Sequence, residues 1–124
     1  MTRKITILDS LDGDSFIKDY PVESGNDGSN IWEKYRSGKV KIEGVQTVSL
    51  NSSGTGTITL PVTLPHATVT KTKILIMPAW FSTQNVTVVY HGLTTTTVDI
   101  TCINVALGNP ITGNQRVSID ITSF

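Results

Sequence analysis

The chain has one cysteine, three alanines and eight leucines in 124 residues, and each shortage excludes something. A lone Cys102 leaves no internal disulfide framework and no cysteine-rich zinc site. So little alanine and leucine argues against a helical bundle, and against a doubly wound fold built on several amphipathic helices. No apolar run approaches the roughly 20 residues of a membrane-spanning helix, so no membrane insertion is expected. The opening Met1-Thr2-Arg3-Lys4 leads into no apolar stretch of the signal-peptide kind. Ten basic and ten acidic side chains cancel, which removes any overall field that would draw in nucleic acid. What is abundant is threonine, isoleucine and valine, at 19, 13 and 12 residues. β-Branched side chains pack well on a pleated surface and lose rotamer freedom in helices, so the composition is that of strands. The length suits one all-β domain.

Charge is also scarce in one particular place. Eight of the ten acidic residues precede Gly44, and from Gly44 to Phe124 only Lys71, Lys73, Asp99, Arg116 and Asp120 are charged. A surface of threonine, serine and asparagine, where lysine and glutamate ordinarily maintain solubility, suits subunit contacts and points to an assembly component.

Residues 1–30 read as an N-terminal arm or linker, and 31–124 as a β-sandwich domain. Within the arm, Lys4 to Leu8 suits a short strand and Asp12-Gly13-Asp14 a turn. Ser24 to Asn30 is a polar, glycine-bearing loop. Ile31–Arg36 and Lys39–Glu43 flank Ser37-Gly38, a two-residue hairpin signal. The alternation of Val40 and Ile42 with Lys41 and Glu43 slips at Gly44, which predicts a bulge or bend there. Ile58, Leu60, Val62 and Leu64 share one face, and Pro61 among them predicts an edge strand or a bulge. Ile74 to Met77 is apolar on both faces, as in a strand covered on both sides. Val86, Val88 and Tyr90 alternate with Thr87, Val89 and His91. A parity switch from Cys102 to Ile103 predicts a second bulge. Val117, Ile119 and Ile121 form the last strand. Strands at this spacing, separated by Gly, Pro and Asn, predict an antiparallel sandwich.

Catalytic and metal chemistry finds few residues to work with. His66 and His91 lie on different segments with no His-x-His or His-Glu-x-x-His pair, so no metal site and no cofactor is expected. Asp9, Asp12 and Asp14 lack the ordered ligand series of a calcium loop. Cys102 sits on the apolar parity of its strand and reads as a small buried hydrophobe. No Gly-x-Ser-x-Gly elbow picks out one of the eleven serines, and Gly54-Thr55-Gly56 is no phosphate loop. Asn51-Ser52-Ser53 and Asn85-Val86-Thr87 fit the glycosylation pattern, which is too short to carry weight alone. Aromatic residues offer more. Trp80 and Phe81 precede the polar turn Ser82-Thr83-Gln84-Asn85, and Tyr90-His91 ends the strand that follows. Rings at a loop rim stack on sugars, and large rings equally serve the core or a subunit interface. Trp80, Phe81, Gln84, Asn85, Tyr90 and His91 are therefore the candidate ligand-binding residues.

Asp19-Tyr20-Pro21-Val22-Glu23-Ser24-Gly25, a polar spacer, and then Ile31-Trp32-Glu33-Lys34-Tyr35-Arg36-Ser37-Gly38 with a strand ending at Gly44 form a pattern. This resembles a segment of bacteriophage and prophage tail-fibre or tail-tip proteins. Thr57 to Pro65, Thr-Ile-Thr-Leu-Pro-Val-Thr-Leu-Pro, resembles a second phrase of that group. The chain departs from the pattern at Glu43, where the group often has Trp, and at His66, which follows Pro65.

The resemblance implies a C-terminal β-sandwich in the style of fibre heads and H-type lectins, assembled as a homotrimer. It implies a chain of the virion, in the phage tail, or one encoded by a prophage in a bacterial cell. The arm would join other tail or baseplate proteins, and the sandwich would bind a host-surface glycan or protein without catalysis. A purely structural fibre-tip protein is the second reading, and a small carbohydrate-active enzyme module the third. No catalytic residue carries over, because the matching positions (Trp32, Lys34, Tyr35, Ser37 and Gly38) are those of a shared hairpin.

Overall fold

The computed structural model describes residues 19–79 and 86–124. Among them are nine strands and no helix: β1 (Pro21–Asn26), β2 (Asn30–Tyr35), β3 (Val40–Leu50), β4 (Thr55–Thr59), β5 (Thr72–Pro78), β6 (Val86–Leu93), β7 (Thr97–Asn104), β8 (Asn109–Pro110) and β9 (Gly113–Ser123). One sheet runs β1-β2-β3-β9-β5, and the second runs β4-β7-β6 with β8 also beside β7. Every pairing is antiparallel. The fold is an all-β antiparallel sandwich, as the strand spacing predicts.

The longest pair, β3 with β9, is in register from Val40↔Ser123 to Leu50↔Gly113. Because successive side chains alternate faces, Val40, Ile42, Val48 and Leu50 point inward beside Val117, Ile119 and Ile121. The second sheet returns Ile58, Val98, Ile100 and Cys102, and the segment after β4 adds Leu60 and Leu64. Burying each of these aliphatic side chains stabilises the fold by about 1.5–3 kcal/mol. Burial also pushes the Cys102 thiol up, which suits a packing residue and not a nucleophile.

Several local expectations are corrected. The phase of β3 does not change at Gly44, since Gly44 and Gln46 occupy inward positions between Ile42 and Val48 and the register with β9 is unbroken. The apparent slip arises because those two inward positions are not apolar. No bulge lies at Cys102-Ile103; β7 buries Val98, Ile100, Cys102 and Asn104 in strict alternation, and Val105 and Leu107 belong to the exposed turn beyond it. The irregularity falls on the partner strand, at His91 between Tyr90 and Gly92. β4 ends before Pro61 and is an edge strand. Ile74–Met77 is not covered on both sides: β5 is a sheet edge, with Leu75 55% and Met77 49% exposed.

Within the segment assigned to the arm, residues 21–26 form β1, paired with β2 from Pro21↔Tyr35 to Asn26↔Ile31. The strand read at Lys4–Leu8 and the turn at Asp12–Asp14 lie outside the described residues. The hairpin at Ser37-Gly38 is present with a three-residue loop, Arg36-Ser37-Gly38. Tyr35 N–H donates to the Lys39 carbonyl (2.8 Å) and Gly38 N–H to the Tyr35 carbonyl (2.9 Å). Gly38 has φ of 95°, the left-handed residue that closes such a loop. Asp19 ties down the tip, accepting from the Ser37 hydroxyl (2.6 Å) and the Ser37 N–H (3.0 Å). The Lys39 ammonium lies 3.9 Å from Asp19 and 4.1 Å from the centre of the Tyr35 ring. Tyr35 in turn donates to Glu33 Oε1 (2.9 Å), a bond that pushes the phenol up.

Candidate functional site

The β1–β2 connection, Asp27-Gly28-Ser29, is made by side chains that bond to their own backbone. Asn26 Oδ1 accepts the Gly28 N–H (2.8 Å), and Asp27 Oδ1 accepts the N–H groups of Ser29 (3.0 Å) and Asn30 (2.7 Å). Such Asx turns order a short loop without a hydrophobic contact. The same bonds, that from Asn30 foremost, hold the Asp27 carboxyl below its ordinary value.

The turn delivers Asn30, only 5% exposed, to a place opposite Gly44, midway along β3. Gln46, on the inward parity of β3, donates from Nε2 to Asn30 Oδ1 (3.2 Å) and lies 3.3 Å from the Thr59 carbonyl on the other sheet. Asn30 Nδ2 is 3.4 Å from Asp27 Oδ2. Gly44 makes this approach possible, since a Cβ there would meet the Ser29 carbonyl and Asn30. The result is a groove of about 440 Å³ lined by Asp27, Ser29, Asn30, Gln46, Thr47 and Thr59, with Leu60 and Pro61 as its apolar wall.

The groove presents both hydrogen-bond senses at close quarters. Gln46 Nε2 spends both hydrogens on Asn30 and Thr59, which leaves Gln46 Oε1 as an acceptor without a partner among the described residues and the second hydrogen of Asn30 Nδ2 as a donor. Asp27 adds one carboxylate. Hydrolysis of a glycoside ordinarily takes two carboxyl groups astride the bond, and this lining holds one, already committed to its own turn. Among the described residues no group of three or more His, Cys, Asp and Glu could hold a metal ion.

Of the residues singled out from the sequence, Trp80, Phe81, Gln84 and Asn85 lie outside the described residues. Tyr90 is half-buried and packs on the core from the inner face of β6. His91 is exposed at the bulge beside it. His66 is exposed, with its backbone engaged by Ser123 (3.2 Å and 3.0 Å). Asn51 spends its Oδ1 on the N–H groups of Ser53 (2.8 Å) and Thr55 (3.1 Å).

The groove residues went unnoticed in the sequence because Asp27 and Asn30 sit in what reads as a generic polar loop. Their signal was Gln46, a polar side chain at an inward position two residues after a glycine. No family model, curated relative or solved structure matches the chain.

Proposed function

We propose that this is a non-catalytic recognition domain of the phage or prophage tail-fibre type, which binds a host-surface glycan in the groove between Asp27, Asn30, Gln46 and Thr59. The observation that carries the reading is the amide pair Asn30–Gln46, built by one sheet and bonded to the other. A sugar hydroxyl donates and accepts at once, and a fixed pair of amides beside a carboxylate meets both demands. Leu60 and Pro61 give the C–H face of a ring an apolar surface to lie on. The wall lacks an aromatic ring among the described residues, so each site binds weakly and gains from repetition in an assembly.

The tail-fibre part of the reading is supported by the resemblance at Asp19–Gly44 and Thr57–Pro65. The first stretch forms β1, β2 and the start of β3, and the second forms β4 and the groove wall. A glycan array probed with the native chain and with Gln46→Leu tests the proposal. Retention of a defined glycan by the native chain, and its loss in a variant that remains folded by circular dichroism, is the expected result. If no glycan is retained, the domain reverts to a structural fibre-tip protein.

A further inference from the structure

The hairpin of β7 and β8 encloses a second hollow, of about 240 Å³, lined by Asn104, Leu107, Asn109, Pro110, Ile111 and Thr112. Asn104 faces Asn109 across this hairpin, and the Gly108 N–H closes its loop on the Asn104 carbonyl (2.7 Å). The Ile111 N–H donates to the Cys102 carbonyl (3.0 Å), which fastens the returning limb to β7. Inside the loop Asn104 Oδ1 accepts the N–H groups of Ala106 (3.1 Å) and Leu107 (3.3 Å). Two backbone donors on one oxygen fix the orientation of the amide, so Nδ2 is the atom that Asn104 offers to the hollow. Asn104 is 7% exposed, and neither hydrogen of Nδ2 has a partner among the described residues. A buried donor without an acceptor is costly, and a bound acceptor removes that cost.

The rest of the lining decides what carries the acceptor. None of the six side chains is charged, so neither an anion nor a cation finds a counter-ion there. Leu107, Pro110 and Ile111 present apolar surface, while Asn109 and Thr112 can donate or accept. An acetamido group has the matching pattern, with a carbonyl that accepts, a methyl that avoids water and an N–H that donates. A plain hexose would leave the apolar side unused. The hollow is smaller than the about 300–1,000 Å³ of ordinary ligand pockets, which suits one such group and the ring that bears it. We propose that this hollow is a second sugar site, which takes the acetamido group of a neutral 2-acetamido sugar with its carbonyl on Asn104 Nδ2 and its methyl against Leu107, Pro110 and Ile111. The site stands independently of the groove. Thr59 of the groove faces Thr97, and β7 runs seven residues on from there to Asn104, roughly 20 Å or more away. Two sites so spaced let one chain hold a surface polysaccharide at two points, and the second contact then forms at high effective concentration.

The test follows backbone amide resonances of the native chain while N-acetylglucosamine, glucose or glucosamine is added to about 100 mM, a range that reads millimolar affinity. N-acetylglucosamine is expected to shift the resonances of Ala106, Leu107, Gly108 and Thr112 saturably, and the other two sugars to leave them in place. Asn104→Asp keeps the oxygen that holds Ala106 and Leu107 and loses the donor, so the dissociation constant should rise about tenfold or more. Leu107 is 71% exposed, so Leu107→Ala leaves the fold intact and should weaken binding about threefold. Gln46→Leu should leave these shifts unchanged, which separates loss of this site from loss of the groove. Equal shifts with glucose, no saturable shift with any of the three sugars, or native affinity in Asn104→Asp overturns the proposal. N-methylacetamide, the amide without a ring, should bind more weakly than the sugar; equal binding would assign the hollow to a peptide amide and overturn the sugar reading. Should Asn104→Asp not fold, Leu107→Ala decides, and unchanged affinity there overturns the proposal.

Discussion

The hydroxyls of Thr72 and Ser123 meet inside the protein at 2.9 Å, and both reach the backbone of His66. Thr72 Oγ1 is 2.7 Å and Ser123 Oγ 3.0 Å from the His66 carbonyl, while the His66 N–H donates to Ser123 Oγ (3.2 Å). Thr72 opens β5 and Ser123 closes β9, so the pair fastens the irregular segment after β4 onto the edge of the larger sheet. Ser123→Ala is expected to destabilise the protein by about 1–2 kcal/mol, because buried partners lose their hydrogen bonds. Thr72→Val should cost a similar amount. Since both act on one carbonyl, the double variant should cost less than the sum, as urea titrations of the four proteins will show.

These bonds illustrate what the sequence makes legible. Val117, Ile119 and Ile121 announce their inward face through alternation alone, and the sandwich follows from repeating that reading strand by strand. Thr72, Ser123, Asn30 and Gln46 are polar residues at inward positions, where the pattern of hydrophobicity has nothing to record. Gly44 was visible as an interruption, but its cause, the approach of Ser29 and Asn30 from a neighbouring strand, is a tertiary fact. The exposed side of β5 was misread for a related reason. Leu75 and Met77 have the composition of a core residue, and only the strand's place at a sheet edge determines what covers them.

The hairpin at Gly38 isolates backbone strain, because a Cβ there would meet nothing within 4 Å. With φ at 95°, any cost of substitution comes from conformation and not from a clash. Gly38→Asn should be tolerated best, Gly38→Ala should cost about 1 kcal/mol, and Gly38→Val more than that. Thermal melts of the three variants check the order. An unchanged melting temperature for Gly38→Val is incompatible with this loop.

Stability should fall in acid, through two identifiable carboxylates. The N–H groups of Asn30 and Ser29 hold Asp27 below the ordinary 3.8, and the Ser37 hydroxyl and N–H, with Lys39, hold Asp19 below it. A folded-state value below the unfolded one means that the unfolded chain takes up protons first as pH drops. The contribution is therefore complete above pH 3.8 and is lost as pH falls through that value toward the folded-state values. Melting temperatures recorded at about pH 7, 4 and 2.5 should drop over the last interval in the native chain. Asp27→Asn keeps an acceptor for the turn without a titrating group, so its drop should be smaller.

Gly44→Ala joins the fold to the groove in one substitution. The new Cβ would fall on the Ser29 carbonyl and lie 2.8 Å from the Asn30 Cα, and these backbone atoms have no flexible end that could move aside. Either β2 separates from β3 near Asn30↔Gly44, weakening the bond from the Val45 N–H to the Ser29 carbonyl (3.0 Å), or Asn30 is displaced toward the groove. Overpacking of this kind costs about 1–3 kcal/mol. Both routes move Asn30 away from Gln46, so any glycan found with the native chain should be bound more weakly even where the variant remains folded. Gln46→Leu provides the comparison, since it removes the amide without moving the backbone. Equal loss of binding in both variants, with the larger loss of stability in Gly44→Ala, is the expected pair of results. A stable Gly44→Ala that binds as the native chain does would mean that Asn30 is not held where the groove requires it.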